Sequence, residues 1–256
     1  MAAAPQSVAL GRPRLHLRST TSTNDRARGL AIAGAPHGTL VTAAEQTAGR
    51  GRQGRSWAAP AGSSLLMSLV LRDAPSPLPL LAAVAVCDVA GPQARVKWPN
   101  DIVIEARGAM GIARSTLRKL AGILVEGRPQ EGWAVLGIGL NVALRLEDLP
   151  PDLQETAATL GLSPEMIEPT LTSLLAALER RLATPAGTTL DAWRELDALR
   201  GREVHWAERN RQEQGRAEGI DGTGRLIVVG VSGEQTVLEA GEVHLSSGGG
   251  TTLQRR

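Results

Sequence analysis

The stretch Gly49–Trp57, GRGRQGRSW, sets Arg50, Arg52 and Arg55 on a backbone interrupted by Gly49, Gly51 and Gly54. Glycine permits positive φ and close approach to the main chain, and arginine offers planar bidentate donors for carboxylate or phosphate, so the segment can form an anion grip. The same composition also suits a solvated loop or a Gly/Arg segment that holds RNA. Its surroundings favour the grip. The apolar run Gly38–Ala44 (GTLVTAA) precedes it and Ser63–Leu71 (SSLLMSLVL) follows it, which slings the loop between two expected strands.

Three further stretches carry polar residues at the edges of apolar runs. Arg95–Glu105, RVKWPNDIVIE, holds Lys97, Asn100 and Asp101 in a turn stiffened by Pro99, ahead of a strand at Ile102–Ile104. Lys119–Glu126, KLAGILVE, reads as a strand that begins with a lysine. Trp133–Val142, WAVLGIGLNV, reads as another, with Gly137 and Gly139 allowing close backbone approach and Asn141 near its end. Upstream, Ser22, Thr23 and Asn24 precede a helical stretch within Ser19–Ala33. Their default role is to cap that helix, although they can equally present hydroxyl and amide groups to a polar ligand.

Composition sharpens this picture. The chain of 256 residues is 42% hydrophobic and 21% charged, enough to bury a full core and to make one large unit plus one small one. Its pI of about 9.3 suggests a polyanion partner, yet the net charge is only +2. With no Tyr, one Cys and few Lys, almost nothing titrates between neutrality and strong alkali, so a small arginine excess survives to high pH. The pI therefore says nothing about DNA. Met1–Leu17 has no apolar signal-peptide core, and the run Leu78–Ala90 is too short to span a bilayer, so a cytoplasmic protein without membrane contact is expected. Cys87, the sole cysteine, lies in that run and reads as a small core residue.

Lysine and asparagine are scarce. Only Lys97 and Lys119 occur among 28 basic residues, and Asn only at 24, 100, 141 and 210. Both lysines and three of the four asparagines fall in the polar stretches described above, which is where a site that needs a compact ammonium or an amide would retain them. The four histidines, His16, His37, His205 and His244, fall outside these stretches and read as structural or exposed.

In order along the chain, TSTN, EQTAGR, GRGRQGRSW, KWPND, KLAGIL and GIGLNV closely resemble the bacterial biotin protein ligases over Ser22–Leu245. The resemblance implies an α+β fold, a class II synthetase-like mixed sheet with helices, followed by a small SH3-like β-barrel. The expected division is a catalytic domain at 1–199, the small domain at 200–245 and a disordered tail at 246–256. It also implies the monofunctional type, without a DNA-binding winged helix. Between Ala106 and Arg118 the chain is longer than the family pattern, and these residues are expected to form an exposed loop.

The implied reaction joins the carboxylate of biotin to the α-phosphate of ATP with Mg²⁺, then passes biotin from biotinyl-5′-AMP to a lysine of a biotin carboxyl carrier domain. By motif match, Ser22, Thr23, Asn24, Gln46, Gly49, Arg50, Gly51, Arg52 and Lys119 bind biotin. Arg52, Arg55, Trp57, Asn100 and Asn141 bind the nucleotide. Arg52, Lys119, Lys97 and Asp101 serve the chemistry, with Asp101 the candidate metal ligand. The family also includes homodimers. Competing readings are a lipoate or octanoate ligase-type acyltransferase of the same fold and a nucleic-acid-binding module built on the Arg/Gly loop.

Overall fold

The computed structural model describes residues 9–107, 115–208, 211–239, 241 and 243–245. In chain order the elements are β1 (Arg14–Leu17), α1 (Thr23–Ile32), β2 (Leu40–Ala43), β3 (Gly49–Arg50), β4 (Ser56–Trp57), β5 (Ser64–Arg72), α2 (Leu78–Ala90), β6 (Ala94–Lys97), β7 (Asp101–Arg107), β8 (Ser115–Arg128) and β9 (Trp133–Asn141). There follow α3 (Pro151–Gln154), α4 (Ile167–Ala183), α5 (Ala186–Glu195), β10 (Glu203–Glu208), β11 (Arg211–Ile220), β12 (Leu226–Gly230), β13 (Gln235–Leu238) and β14 (Val243–Leu245).

Seven strands form a mixed sheet in the order β1-β2-β5-β9-β8-β7-β6, parallel only between β1 and β2. β5 and β9 sit at its centre because their sequences are apolar on both faces, as a strand covered on both sides requires. Leu65, Met67, Leu69 and Leu71 pack with Leu136, Ile138 and Leu140 against α2, α4 and α5, forming the large core. The apolar stripe of α4, Leu171, Leu174 and Leu178, follows the helical repeat and faces that core. On the opposite face, Ala27 and Ala31 of α1 pack with Val41, Val70, Trp133 and Val135. The rest of that face, around Gly122, Gly137 and Gly139, is left open and becomes the floor of a cleft.

β10–β14 form a separate five-stranded antiparallel sheet in the order β13-β12-β11-β10-β14. It is fastened to the first unit through one apolar cluster that contains both Leu80, Val96 and Trp98 and Val204, Trp206, Leu226 and Val243. Trp98 donates its Nε1–H to the Gly224 carbonyl at 3.1 Å. Gly224 has φ +88°, and a Cβ there would lie 2.4 Å from Leu80 Cδ1, so this contact requires glycine.

Three expectations are corrected. The sequence of Asp191–Leu199 reads as a short helix, but the helix lies at Ala186–Glu195, because Val96 of β6 bonds the Leu196 carbonyl and the Ala198 amide, both at 2.8 Å, and draws that segment into an extended bridge. The longer connection at 106–118 is not all loop. Ala106 and Arg107 pair with Thr116 and Ser115, so the extra residues prolong the β7–β8 hairpin. Its tip at 108–114 and the tail at 246–256 lie outside the described residues. Finally, β8 begins before Lys119 and carries a bulge there: Val103 pairs with Lys119 but Ile102 with Ala121. Consecutive residues Leu120 and Ala121 consequently both enter the core, which a regular strand cannot achieve.

Candidate functional site

The cleft lies on the open face of the large sheet, with about 930 Å³ of unoccupied space between its walls, open solvent included. Its floor is bare because Gly122 and Gly139 are cross-strand partners, and Leu124 pairs with Gly137. A Cβ on Gly139 would come within 2.6 Å of the Trp57 ring, and one on Gly137 within 2.1 Å of Asn24 Oδ1. Trp57 and Asn24 thus rest directly on the backbone of the sheet.

At the Asn24 end the groups are neutral and buried. Ser22 stands at the N-cap position of α1, but its hydroxyl caps nothing. The cap comes instead from Gln46, whose Oε1 accepts from the Thr23 amide at 2.7 Å and the Thr23 hydroxyl at 3.0 Å. That leaves the Gln46 NH₂ as the end available to a ligand. Ser68, fully buried on β5, donates toward Asn24 Oδ1 at 2.6 Å or Thr23 Oγ1 at 2.8 Å. The Asn24 NH₂ donates to Glu126 Oε2 at 2.8 Å. Ring-like ligands with both N–H and C=O edges would meet acceptors and donors fixed in advance.

At the Trp57 end the groups are charged. The bulge in β8 turns Lys119 onto the cleft face together with Gly122, and Lys119 N and O bond to Thr156 and Ala158 at 2.6 and 2.7 Å. Its Nζ lies 2.7 Å from Asp101 Oδ1 and 5.7 Å from the centre of the Trp57 ring. Arg52 donates to Asn100 Oδ1 at 3.2 Å, and Asn100 is anchored to the Ile123 carbonyl at 2.7 Å. Burial lowers the pKa of Arg52, opposed by Asp101. Burial also lowers that of Lys97, where Asp101 acts against it and Lys119 and Arg55 add to it. Several cations therefore crowd one carboxylate, a wall short of negative charge.

The arginine loop is built to reach this wall. Gly51 N bonds Arg55 O at 2.7 Å, and Gln53 and Gly54 both adopt left-handed φ, which folds Arg52–Gly54 into a tight turn. Gly49 pairs with Trp57, and a Cβ there would lie 2.5 Å from the Trp57 carbonyl. Its part is this close approach; it does not line the cleft.

Ser22, Thr23, Asn24, Gln46, Arg50, Gly51, Arg52, Arg55, Trp57, Lys97, Asn100, Asp101 and Lys119 are all brought to the cleft wall. Two expectations change in detail. The Arg50 guanidinium is held by Asp25 at 2.6 Å and Glu126 at 3.2 Å, so it is not turned over to an incoming anion. Asn141 sits behind the wall, with its NH₂ on the Ala158 carbonyl at 2.8 Å and its Oδ1 accepting from Ser64 at 3.2 Å. Cys87 is core, with its thiol pushed up to about 12 by burial.

Sequence reasoning missed His244, which reaches the cleft from β14 and stacks on its cross-strand partner His205, with ring centres 5.3 Å apart. Burial lowers its pKa, followed by Lys97, His205 and Arg55. It also missed Ser68 and Glu126. Ser68 left a signal, because a hydroxyl inside a strand buried on both faces requires a partner. His244 left none, since nothing in EVHL tells which surface the small sheet presents to the cleft.

The sequence profile of the biotin/lipoate A/B protein ligase family matches residues 16–142, and that of the biotin protein ligase C-terminal domain matches residues 200–246. Over 249 residues the chain is 33% identical to the biotin–[acetyl-CoA-carboxylase] ligase of Paracoccus denitrificans, covering 89% of this chain and 98% of that one. The chain belongs to the biotin/lipoate A/B protein ligase family. Other members it resembles are the biotin–[acetyl-CoA-carboxylase] ligase of Mycobacterium tuberculosis, 34% identical over 88% of this chain and 85% of the relative, and the bifunctional ligase/repressor BirA of Bacillus spizizenii, 34% identical over 90% and 74%. The structure of an Aquifex aeolicus biotin protein ligase in complex with biotin and ATP superposes with a TM-score of 0.73 at 23% identity, over 92% of this chain and 99% of that one. The family fold, a mixed sheet with helices and an SH3-like C-terminal domain, is the one described above.

Proposed function

We propose that this protein is a biotin protein ligase that makes biotinyl-5′-AMP from biotin and ATP and transfers biotin to one lysine of a biotin carboxyl carrier domain. The observation that carries this reading is a single trough with a neutral hydrogen-bonding end and a cationic end, joined by a glycine floor. A ureido ring matches the first end: its carbonyl needs donors such as the Gln46 NH₂ and Ser22 hydroxyl, and its N–H groups need acceptors such as Asn24 Oδ1. The acyl chain would cross the glycine floor and deliver its carboxylate to Lys119 and Arg52.

In the first step a biotin carboxylate oxygen attacks the α-phosphorus, forming a C–O–P anhydride while the bond to pyrophosphate breaks. Two anions must approach one another, and Lys119, Arg52, Lys97 and Arg55 offset that repulsion and the charge that builds on the phosphoryl oxygens. Lys119 then exchanges its Asp101 partner for the substrate. In the second step the lysine nitrogen of the acceptor attacks the acyl carbon, the anhydride C–O bond breaks, AMP leaves and the amine loses a proton. No covalent bond to the enzyme is required.

Asp101 is the only carboxylate on the cleft wall among the described residues, and no group of three or more acidic, His or Cys side chains there could form a metal cage. This fits Mg²⁺, which usually enters on substrate phosphates and takes one or two protein carboxylates. Asp101 would hold it, and the ion would neutralise the leaving pyrophosphate.

Biotin-dependent exchange of pyrophosphate into ATP tests the proposal. Exchange driven by biotin and not by lipoate is expected. The reverse would make the protein a lipoate-type ligase, whose apolar dithiolane would offer nothing to the Ser22 hydroxyl or the Gln46 NH₂.

A further inference from the structure

Glu126 lies on β8 on the same side as Gly122 and Leu124, just beyond the residues that line the cleft. Its two carboxylate oxygens have different partners. Oε2 accepts from the Asn24 NH₂ at 2.8 Å, and Oε1 lies 3.2 Å from the Arg50 guanidinium. Arg50 also donates to Asp25 at 2.6 Å, and Arg28 reaches Asp25 at 3.1 Å, so two guanidiniums meet two carboxylates in a balanced cluster. The Glu126 side chain is 21% exposed, less than Arg50 at 41% or Asp25 at 35%, which makes it the inner member.

Two consequences follow from elementary hydrogen-bond chemistry. A carboxylate cannot donate, so it accepts only the NH₂ end of Asn24 and thereby turns Oδ1 toward Ser68 and the Gly137 floor. The polarity of the ring pocket is therefore set from outside it. Meanwhile Arg50 begins the arginine loop that carries Arg52 to the cationic wall. Arg50 pairs with Ser56 in the short β3–β4 ribbon, and its ion pairs with Glu126 and Asp25 tie that ribbon to β8 and α1.

We propose that Glu126 is a positioning residue that links the two ends of the site: one oxygen orients Asn24 for the ligand ring, and the other fastens Arg50 so that the arginine loop stays closed over the adenylate. The proposal rests on the biotin reading and deepens it. Asp25 serves only the second task, because it touches the arginines and not Asn24.

The test uses the purified full chain and three variants, Glu126→Ala, Glu126→Gln and Asp25→Asn. Biotin-dependent pyrophosphate exchange gives KM for biotin and for ATP, and a chase of preformed radiolabelled biotinyl adenylate without acceptor gives its release rate. Glu126→Ala is expected to raise the biotin KM about tenfold with the ATP KM within about twofold, and to speed adenylate release about tenfold. Glu126→Gln, nearly the same shape, should speed release similarly with a smaller rise in biotin KM. Asp25→Asn should speed release about threefold and leave the biotin KM within about twofold. Wild-type values for Glu126→Gln in both readouts, or biotin and ATP KM values rising together, would overturn the proposal. If Glu126→Ala does not fold by circular dichroism, Glu126→Gln and Asp25→Asn decide it. Absence of any biotin-dependent exchange in the unmodified chain would instead count against the ligase reading itself.

Discussion

The two ends of the trough solve opposite problems. At the Asn24 end, Ser22, Thr23, Asn24 and Ser68 are each under 5% exposed, and the side chains of Thr23, Asn24 and Ser68 bond to one another, to Gln46 and to Glu126. Their order is complete before a ligand arrives. At the Trp57 end, Lys119 is 41% exposed and the cations share one carboxylate, so order there awaits an anion. A neutral network recognises shape and hydrogen-bond sense, because any mismatch leaves a buried group unsatisfied. A cationic wall recognises charge that appears during the reaction.

Substitutions should separate these ends. Lys119→Ala is expected to have the largest effect, a fall in kcat of about 10²–10³-fold with a loss of only about threefold to tenfold in biotin affinity, since most of its charge acts opposite the developing anion. Stopped-flow formation of biotinyl-AMP and equilibrium biotin binding together check this split. Equal losses in both would break the comparison. Next, Gly137→Ala puts a methyl 2.1 Å from Asn24 Oδ1, and an overpacking penalty of about 1–3 kcal/mol should weaken biotin binding roughly tenfold or more, as read by calorimetry, with ATP affinity in the absence of biotin unchanged. Ser68→Ala removes one donor from the network. A cost of about 1 kcal/mol should raise the biotin KM about fivefold and leave the ATP KM as it was.

A last substitution tests a region outside both ends. Asp197, where α5 hands over to the small sheet, has an Oδ2 without a hydrogen-bond partner among the described residues, and burial pushes its pKa up to about 6 against the Leu199 and Arg200 amides. Because the folded pKa exceeds the unfolded value of about 4, its contribution to stability is present below that value and is lost as pH rises through about 6. Asp197→Asn keeps the acceptor for Leu199 without the charge. It should be more stable than the parent by about 1–2 kcal/mol at pH 7.5, a rise of roughly 3–6 °C in Tm, with the difference closing toward pH 4 and both site ends unaffected.

Much of the architecture was legible because apolar runs and their interruptions have direct causes. SSLLMSLVL read as a strand, and the glycines of GIGLNV announced a close approach to its backbone. The order of the polar stretches named nearly the whole cleft wall. What stayed hidden depends on parity and on distant partners. Strict alternation along KLAG puts Lys119 and Gly122 on opposite faces, and only the bulge at Leu120 unites them. Arg50 and Arg52 look alike in sequence, yet one meets Asp25 and Glu126 and the other Asn100, a difference set by contacts 25 to 76 positions away. Asn141 was scarce and well placed but spends its amide on Ala158, a carbonyl whose position no local pattern reveals.

The bulge has a consequence for how this protein can be altered. Lys119 takes its main-chain bonds from Thr156 and Ala158, so its aim is referenced to the far connection and not to the outer part of the β7–β8 hairpin. A change of register in the Ala106–Thr116 and Arg107–Ser115 pairs need not pass through to the ammonium. The hairpin is a natural port for grafted epitopes or acceptor-recruiting peptides, placed on the same ribbon as the chemistry and mechanically insulated from it.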